Sequence, residues 1–121
     1  MTAKTGTTSI VCGNLATAFR RMVQSGVQEI EVDGATWTRT DDFYASYLAA
    51  VGAPDWHGRN LDALWDSLTG GDINRCNPPL HIRIRGTTRM SDEAREIVHR
   101  FQGLVVEAYR ARHPVQIDLL P

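Results

Sequence analysis

Residues 54–70 read PDWHGRNLDALWDSLTG, and this stretch is the most informative part of the chain. A loop with an aromatic residue and a glycine leads to Asn60, which can cap a helix because its side chain accepts a hydrogen bond from a backbone N–H. Asp62 and Asp66 lie four residues apart and therefore share one outward helical face. The opposite face is apolar, with the i, i+3, i+4, i+7 spacing of a buried stripe: Leu61, Leu64, Trp65 and Leu68. The stretch predicts an amphipathic helix with an acidic outer side.

Strand patterns lie on both sides of this helix. Apolar and polar residues alternate over residues 28–32, 80–85 and 115–119, which is the period of a strand with one buried face. The three strands are separated by helical patterns. This order predicts an α/β fold with a small, mainly parallel three-stranded sheet and helices packed on it.

Two further helices complete this core. Thr40 or Asp41 can cap the first, which Gly52 ends. Ser91 can cap a longer one, which the His113-Pro114 dipeptide breaks.

The first 26 residues precede this alternation and form an N-terminal extension. Residues 8–12 are a candidate for a fourth strand at the sheet edge, and residues 14–25 carry the apolar face of a candidate helix. We expect residues 1–26 to pack on the core, so that residues 1–121 form a single domain. A basic segment followed by an apolar core is absent from residues 1–13, which argues against a signal peptide.

Composition excludes several classes of protein. The chain has 121 residues, with 13 basic and 14 acidic side chains and a net charge of −1, so a strongly basic nucleic-acid binder is not expected. Six of the acids but only one base lie within residues 41–72. That segment nets −5 and the remainder +4. A local acidic field can steer a basic partner, although a solvated acidic face would have the same composition. The sequence contains no run of 18 apolar residues, so no transmembrane helix is predicted.

The two cysteines, Cys12 and Cys76, are too few for a disulfide framework and lack metal-ligand spacing. We interpret them as free thiols in a reducing cytoplasm.

Catalysis is the third interpretation of the acidic face, besides a solvated surface and a binding surface. Paired carboxylates beside His57 could transfer protons. No nucleophile elbow, zinc motif or glycine-rich phosphate loop accompanies them. We therefore predict no catalytic residues, no metal and no cofactor.

Residues 54–70 also resemble the signature of the barstar family of ribonuclease inhibitors. The signature is an aromatic–glycine loop, then NLDALWD, then LTG. The matching register extends from Glu31 to Gly70, resumes at Pro79, and resumes again from Glu107 to the C-terminus. The resemblance implies a three-stranded parallel sheet with helices, and inhibition by occlusion of a ribonuclease's active-site cleft.

The resemblance also implies roles for individual residues. The matched position implies that the Asp66 carboxylate occupies the enzyme's phosphate site and pairs with arginine and histidine there. Asp62 would contact a basic rim, and Trp56 would pack on the catalytic base.

Five more residues are expected to contribute to partner binding. Asn60, Gly58 and Gly70 would shape the loop and offer backbone contacts. Glu107 matches a contributing glutamate late on the long helix. His57 stands where an aromatic residue is usual in the family, and we include it in the partner-binding set.

The resemblance implies a cytoplasmic, monomeric inhibitor that binds a ribonuclease 1:1, without direct contact to nucleic acid or membrane. Such a protein could be the immunity partner of a bacterial ribonuclease toxin. The alternative is a barstar-like module that binds a toxin or other protein that is not a ribonuclease. The near-neutral net charge, Arg59 and the long link over residues 71–78 favour the alternative.

Trp65 lies on the apolar stripe of the helix and is therefore expected in the core.

Overall fold

A computed structural model describes residues 27–121 of the chain. Within that range strands and helices alternate as the sequence predicts, and the α/β fold class is confirmed. The elements are β1 (Gln28–Asp33), α1 (Thr40–Ala50), α2 (Leu61–Thr69), β2 (Leu80–Arg85), α3 (Asp92–Arg110) and β3 (Val115–Leu119).

The three strands form one parallel sheet in the order β1-β2-β3. Ile30 pairs with Ile82, and Ile82 with Ile117, so the apolar side chains of all three strands lie on the same face. This confirms the predicted three-stranded parallel sheet. The fourth strand and the helix predicted within residues 1–26 lie outside the described residues, and so their packing on the core stays a prediction.

The helices cover the apolar face of the sheet. α1 packs on β1, α3 packs on β3, and α2 packs mainly on α3. A cluster of rings fills the space between α1 and α3: Phe43 lies 5.2 Å from Phe101 and Tyr47 lies 4.8 Å from Phe101, between ring centroids. Burial of these large rings removes much apolar surface from water and so stabilises the fold.

The other face of the sheet carries a charged cluster that spans all three strands. The Glu29 side chain on β1 is only 2% exposed, and its Oε2 lies 3.0 Å from Arg83 Nε and 3.2 Å from His81 Nδ1. His81 Nε2 lies 2.8 Å from Asp118 Oδ2 on β3. The Glu29 carboxylate raises the pKa of His81 above its usual 6.5; burial opposes this shift and Asp118 adds to it.

The start of α1 differs from the prediction that Thr40 or Asp41 caps it. The residue before the helix is Arg39, and the helix begins at Thr40. The Asp42 carboxylate instead accepts hydrogen bonds from the backbone N–H groups of Thr38 (2.9 Å) and Arg39 (3.1 Å). These bonds lower the pKa of Asp42. A carboxylate in the first turn can reach back to these otherwise unsatisfied donors.

The free-thiol interpretation is wrong for Cys76. This residue is buried and disulfide-bonded. The sequence has one other cysteine, Cys12, which lies outside the described residues. The cysteines therefore give no support to a reducing compartment.

No helix within residues 27–121 is both long enough and apolar enough to cross a lipid bilayer.

Candidate protein-binding site

The loop before α2 points one aromatic side chain outward and one inward. A turn in which the His57 N–H donates to the Pro54 carbonyl (3.0 Å) closes the loop. Trp56 is 74% exposed, whereas the neighbouring His57 is 8% exposed. His57 Nδ1 lies 2.8 Å from the Gly58 carbonyl, so Nδ1–H donates to it. His57 thus fixes the loop from inside and leaves Trp56 in solvent.

The beginning of α2 is capped as the sequence predicts. Asn60 Oδ1 accepts a hydrogen bond from the Ala63 N–H at 2.7 Å. A Cβ at Gly58 would lie 3.0 Å from Asn60 Nδ2 and 3.3 Å from Ala63 Cβ. A glycine at position 58 therefore lets the loop lie close against the capped turn.

Two faces of α2 differ sharply in burial. Leu64 and Leu68 are fully buried, and Trp65 is partly buried against the core. Asp62 and Asp66 are exposed on the other side. This is the amphipathic arrangement that the spacing predicts.

The Asp62 and Asp66 carboxylates form no ion pair with any residue in the described range 27–121. The two carboxylates lie one helical turn apart. Their like charges repel, which lowers the stability of the folded protein by a few tenths of a kcal/mol. Unpaired carboxylates of this kind can form charge-assisted hydrogen bonds with a cationic partner.

Arg59, the base within residues 41–72, does have a partner. Its Nη1 lies 2.5 Å from Asp41 Oδ1 in the first turn of α1. No local sequence pattern predicts this pair, because the two residues lie 18 positions apart. Opposite charge at the two positions was the only available signal.

The remaining predicted site residues lie around α2. Gly70 follows its last turn, is exposed, and donates its N–H to the Asp66 carbonyl at 2.7 Å. Glu107 is exposed on α3, the helix on which α2 packs, and lies 3.4 Å from Arg110 Nη1. The loop thus leads directly into α2, whose acidic face is exposed, and Glu107 lies on α3, the helix on which α2 packs.

The exposed side chains of the candidate site determine which kind of surface it could contact. Within the described part of the chain no group of three or more His, Cys, Asp or Glu side chains could hold a metal ion. The exposed groups are carboxylates and one indole ring, which suit a basic, partly apolar surface.

Comparison with known proteins agrees with the α/β fold described above. The family model described as Barstar (barnase inhibitor) matches residues 27–119. "Putative ribonuclease inhibitor YrdF" of Bacillus subtilis (strain 168) is 39% identical over 44 residues, which are 36% of this chain and 48% of that protein. The match therefore covers about half the length of that relative.

Proposed function

Because the chain belongs to the barstar family, we propose that it is a proteinaceous inhibitor that occludes the active-site cleft of a ribonuclease. The pair of exposed carboxylates, Asp62 and Asp66, is the main support for this proposal. They have no ion-pair partners among residues 27–121, and their helix directly follows the loop of the exposed Trp56. A site for RNA phosphates must be cationic, so it attracts carboxylates such as these, which have no ion-pair partner among residues 27–121.

The inhibitor would act without chemistry of its own. Asp66 would take the place of a substrate phosphate and pair with cationic side chains of the enzyme, while Asp62 contacts the basic rim. Trp56 would pack on the catalytic base and exclude water around the charged contacts. His57 is buried, so its role would be to hold the loop in shape; Gly58, Asn60 and Gly70 support the same geometry.

Preorganisation supports this proposal. The loop is closed by the turn at Pro54, filled by His57 and joined to a capped helix at Asn60. A loop that is already ordered loses less conformational entropy on binding, and more of the contact energy appears as affinity.

The test is a titration of the protein into a barnase-like ribonuclease while RNA cleavage is followed. We expect stoichiometric inhibition by the wild-type protein and a loss of at least about 30-fold in affinity for Asp66→Ala, the usual effect of removing a central hot-spot side chain. Asp92→Asn on α3 is the matched control, because it removes one exposed carboxylate away from the site. Asp66→Ala should remain folded, because the carboxylate is exposed and forms no ion pair within the described residues 27–121. Full inhibition by Asp66→Ala would contradict the proposed mechanism.

An immunity role is a narrower form of the same proposal. The inhibitor would then sit in the cytoplasm of a bacterial cell, bind its cognate ribonuclease toxin 1:1 and protect the producing cell. Deletion of the inhibitor should then make the producing cell sensitive to that toxin.

A target that is not a ribonuclease is the second candidate. The exposed Gly71 and the link over residues 71–78 lie directly after the site helix, and a changed surface there would change the partner. Capture from a source lysate on wild-type protein, with the Asp66→Ala variant as control, separates the two. Recovery of a ribonuclease supports the first candidate, and recovery of another protein that depends on Asp66 supports the second.

A further inference from the structure

The loop that carries Trp56 runs along α1 and is held at both ends of that helix. It leaves the C-terminal end, where the Ala53 N–H donates to the Leu48 carbonyl at 2.9 Å. Six residues later Arg59 reaches Asp41 in the first turn. The 11 residues of α1 span about 16 Å, so the two attachments lie about one helix length apart.

The second attachment joins two helices that otherwise touch little. α1 and α2 each pack on α3, but few contacts connect them to each other. Arg59 immediately precedes Asn60, the cap of α2. The Arg59–Asp41 ion pair therefore links the start of the site helix to the start of α1.

The same ion pair changes the charge that a partner meets. The positive N-terminal end of a helix repels a cation placed beside it, and a free guanidinium at position 59 would also weaken the attraction of the acidic face for a basic surface. With Asp41 as its partner, Arg59 is directed to α1 and its charge is offset.

From this geometry we propose that Asp41 is a positioning residue of the binding site. Through its ion pair with Arg59, Asp41 holds the end of the Trp56 loop that precedes α2. The same ion pair keeps the positive charge of Arg59 next to α1 and away from the acidic face of α2. The effect of Asp41 on partner binding rests on the proposed ribonuclease inhibition. Its effect on the order of the loop in the free protein does not.

Hydrogen exchange in the free protein tests the ordering. The amide of His57 reports the loop turn and that of Ala63 reports the cap of α2. Because an exposed ion pair contributes only modestly, we expect about two- to fivefold faster exchange at both amides in Asp41→Asn and in Arg59→Gln. Asp41→Glu should restore the wild-type rates, because it keeps the charge.

Asp92→Asn is the control. Asp92 also lies in the first turn of a helix and pairs with an arginine, Arg95, at 2.8 Å. Asp92→Asn changes the net charge and the charge at a helix N-terminus by the same amount as Asp41→Asn. It should nevertheless leave hydrogen exchange at His57 and Ala63 unchanged. Equal exchange at these two amides in Asp41→Asn and in the wild type would overturn the inference.

Association kinetics with a barnase-like ribonuclease test the charge effect. Asp41→Asn should lower the association rate constant about two- to fivefold, whereas Arg59→Gln should raise it, although both variants lose the same contact. Changes in the same direction would refute the charge effect, since simple loosening of the loop would produce them. If the wild-type protein does not inhibit the enzyme, the proposed function fails for that target, and the exchange measurement still decides the ordering.

Discussion

The hydroxyl group of Tyr47 has no hydrogen-bond partner among residues 27–121. The ring of Tyr47 is fully buried between Phe43 and Phe101. Its hydroxyl oxygen is buried without a hydrogen bond to the described residues, and burial raises the pKa of Tyr47. A hydroxyl that loses water without gaining a partner costs about 1–3 kcal/mol.

Replacement of this hydroxyl should therefore stabilise the protein. We expect Tyr47→Phe to raise the free energy of unfolding by about 1 kcal/mol in urea titrations. Tyr44→Phe is the control, since the hydroxyl of Tyr44 is not among the buried groups without a partner, and little change is expected there. A less stable Tyr47→Phe variant would show that the hydroxyl is hydrogen-bonded in solution.

Asp62 and Asp66 also lower the stability of the free protein, but unlike the Tyr47 hydroxyl they are exposed. Their mutual repulsion costs stability in the free protein, and no ion pair with residues 27–121 offsets it. Side chains that are unfavourable for folding but exposed beside an aromatic anchor are typical of binding sites, where stability is lost in favour of function.

At the scale of elements, the end of α2 depends on Gly70. A Cβ at this position would lie 2.6 Å from the backbone carbonyl oxygen of Asp66. That oxygen accepts the Gly70 N–H and cannot move without distorting the last turn of the site helix. The glycine therefore allows the helix to end tightly beside the Asp66 side chain.

Two alanine substitutions distinguish this steric requirement at Gly70 from the low helix propensity that glycine has at any helical position. Gly70→Ala should lower the free energy of unfolding by about 1–2 kcal/mol through overpacking. Gly103→Ala lies in the middle of α3, where an added Cβ would have open space around it. This substitution should raise the free energy of unfolding by roughly 0.5–1 kcal/mol, because alanine favours helix. Thermal or urea unfolding of both variants provides the measurement; equal effects of the two would refute the steric role of Gly70.

At the scale of the whole molecule, the Glu29–His81–Asp118 cluster ties the three strands together. Both ring nitrogens of His81 face carboxylates, at 3.2 Å and 2.8 Å. Only the imidazolium can donate from both nitrogens; in the neutral ring, one lone pair faces a carboxylate. The cluster therefore favours protonated His81 in the folded state, in line with its raised pKa.

Stability should consequently depend on pH in a defined direction. A histidine whose folded pKa is above its unfolded value of 6.5 stabilises the fold fully below pH 6.5, and this contribution is lost as pH rises through the folded pKa. We expect the free energy of unfolding to fall over that interval in urea titrations, and the fall to shrink in His81→Gln. His99→Gln, at an exposed position on α3, should retain the wild-type dependence. An unchanged pH dependence in His81→Gln would assign the effect to other groups.

Much of the architecture could be predicted from the chain alone. The strands, the two later helices and the caps Asn60 and Ser91 follow from periodicity and side-chain chemistry within a few residues, and the structure confirms them. The cap of α1 could not be predicted as easily, since several polar residues compete there and Asp42 prevails by reaching two donors at once. The partner-binding roles of residues around Asp66 remain predictions that the inhibition assay must test.

The elements, their order, the buried face of α2 and its acidic outer face could all be predicted from the amino-acid sequence, because these features depend on neighbours along the chain. Other features became visible only in the packed fold: His57 turns inward while Trp56 turns outward, Arg59 pairs with Asp41, Glu29 and His81 share a buried cluster, and Cys76 is disulfide-bonded. The reason is distance along the chain. Ion pairs and burial depend on residues that lie far apart in the sequence, and no local pattern predicts which of them meet once the strands and helices have packed.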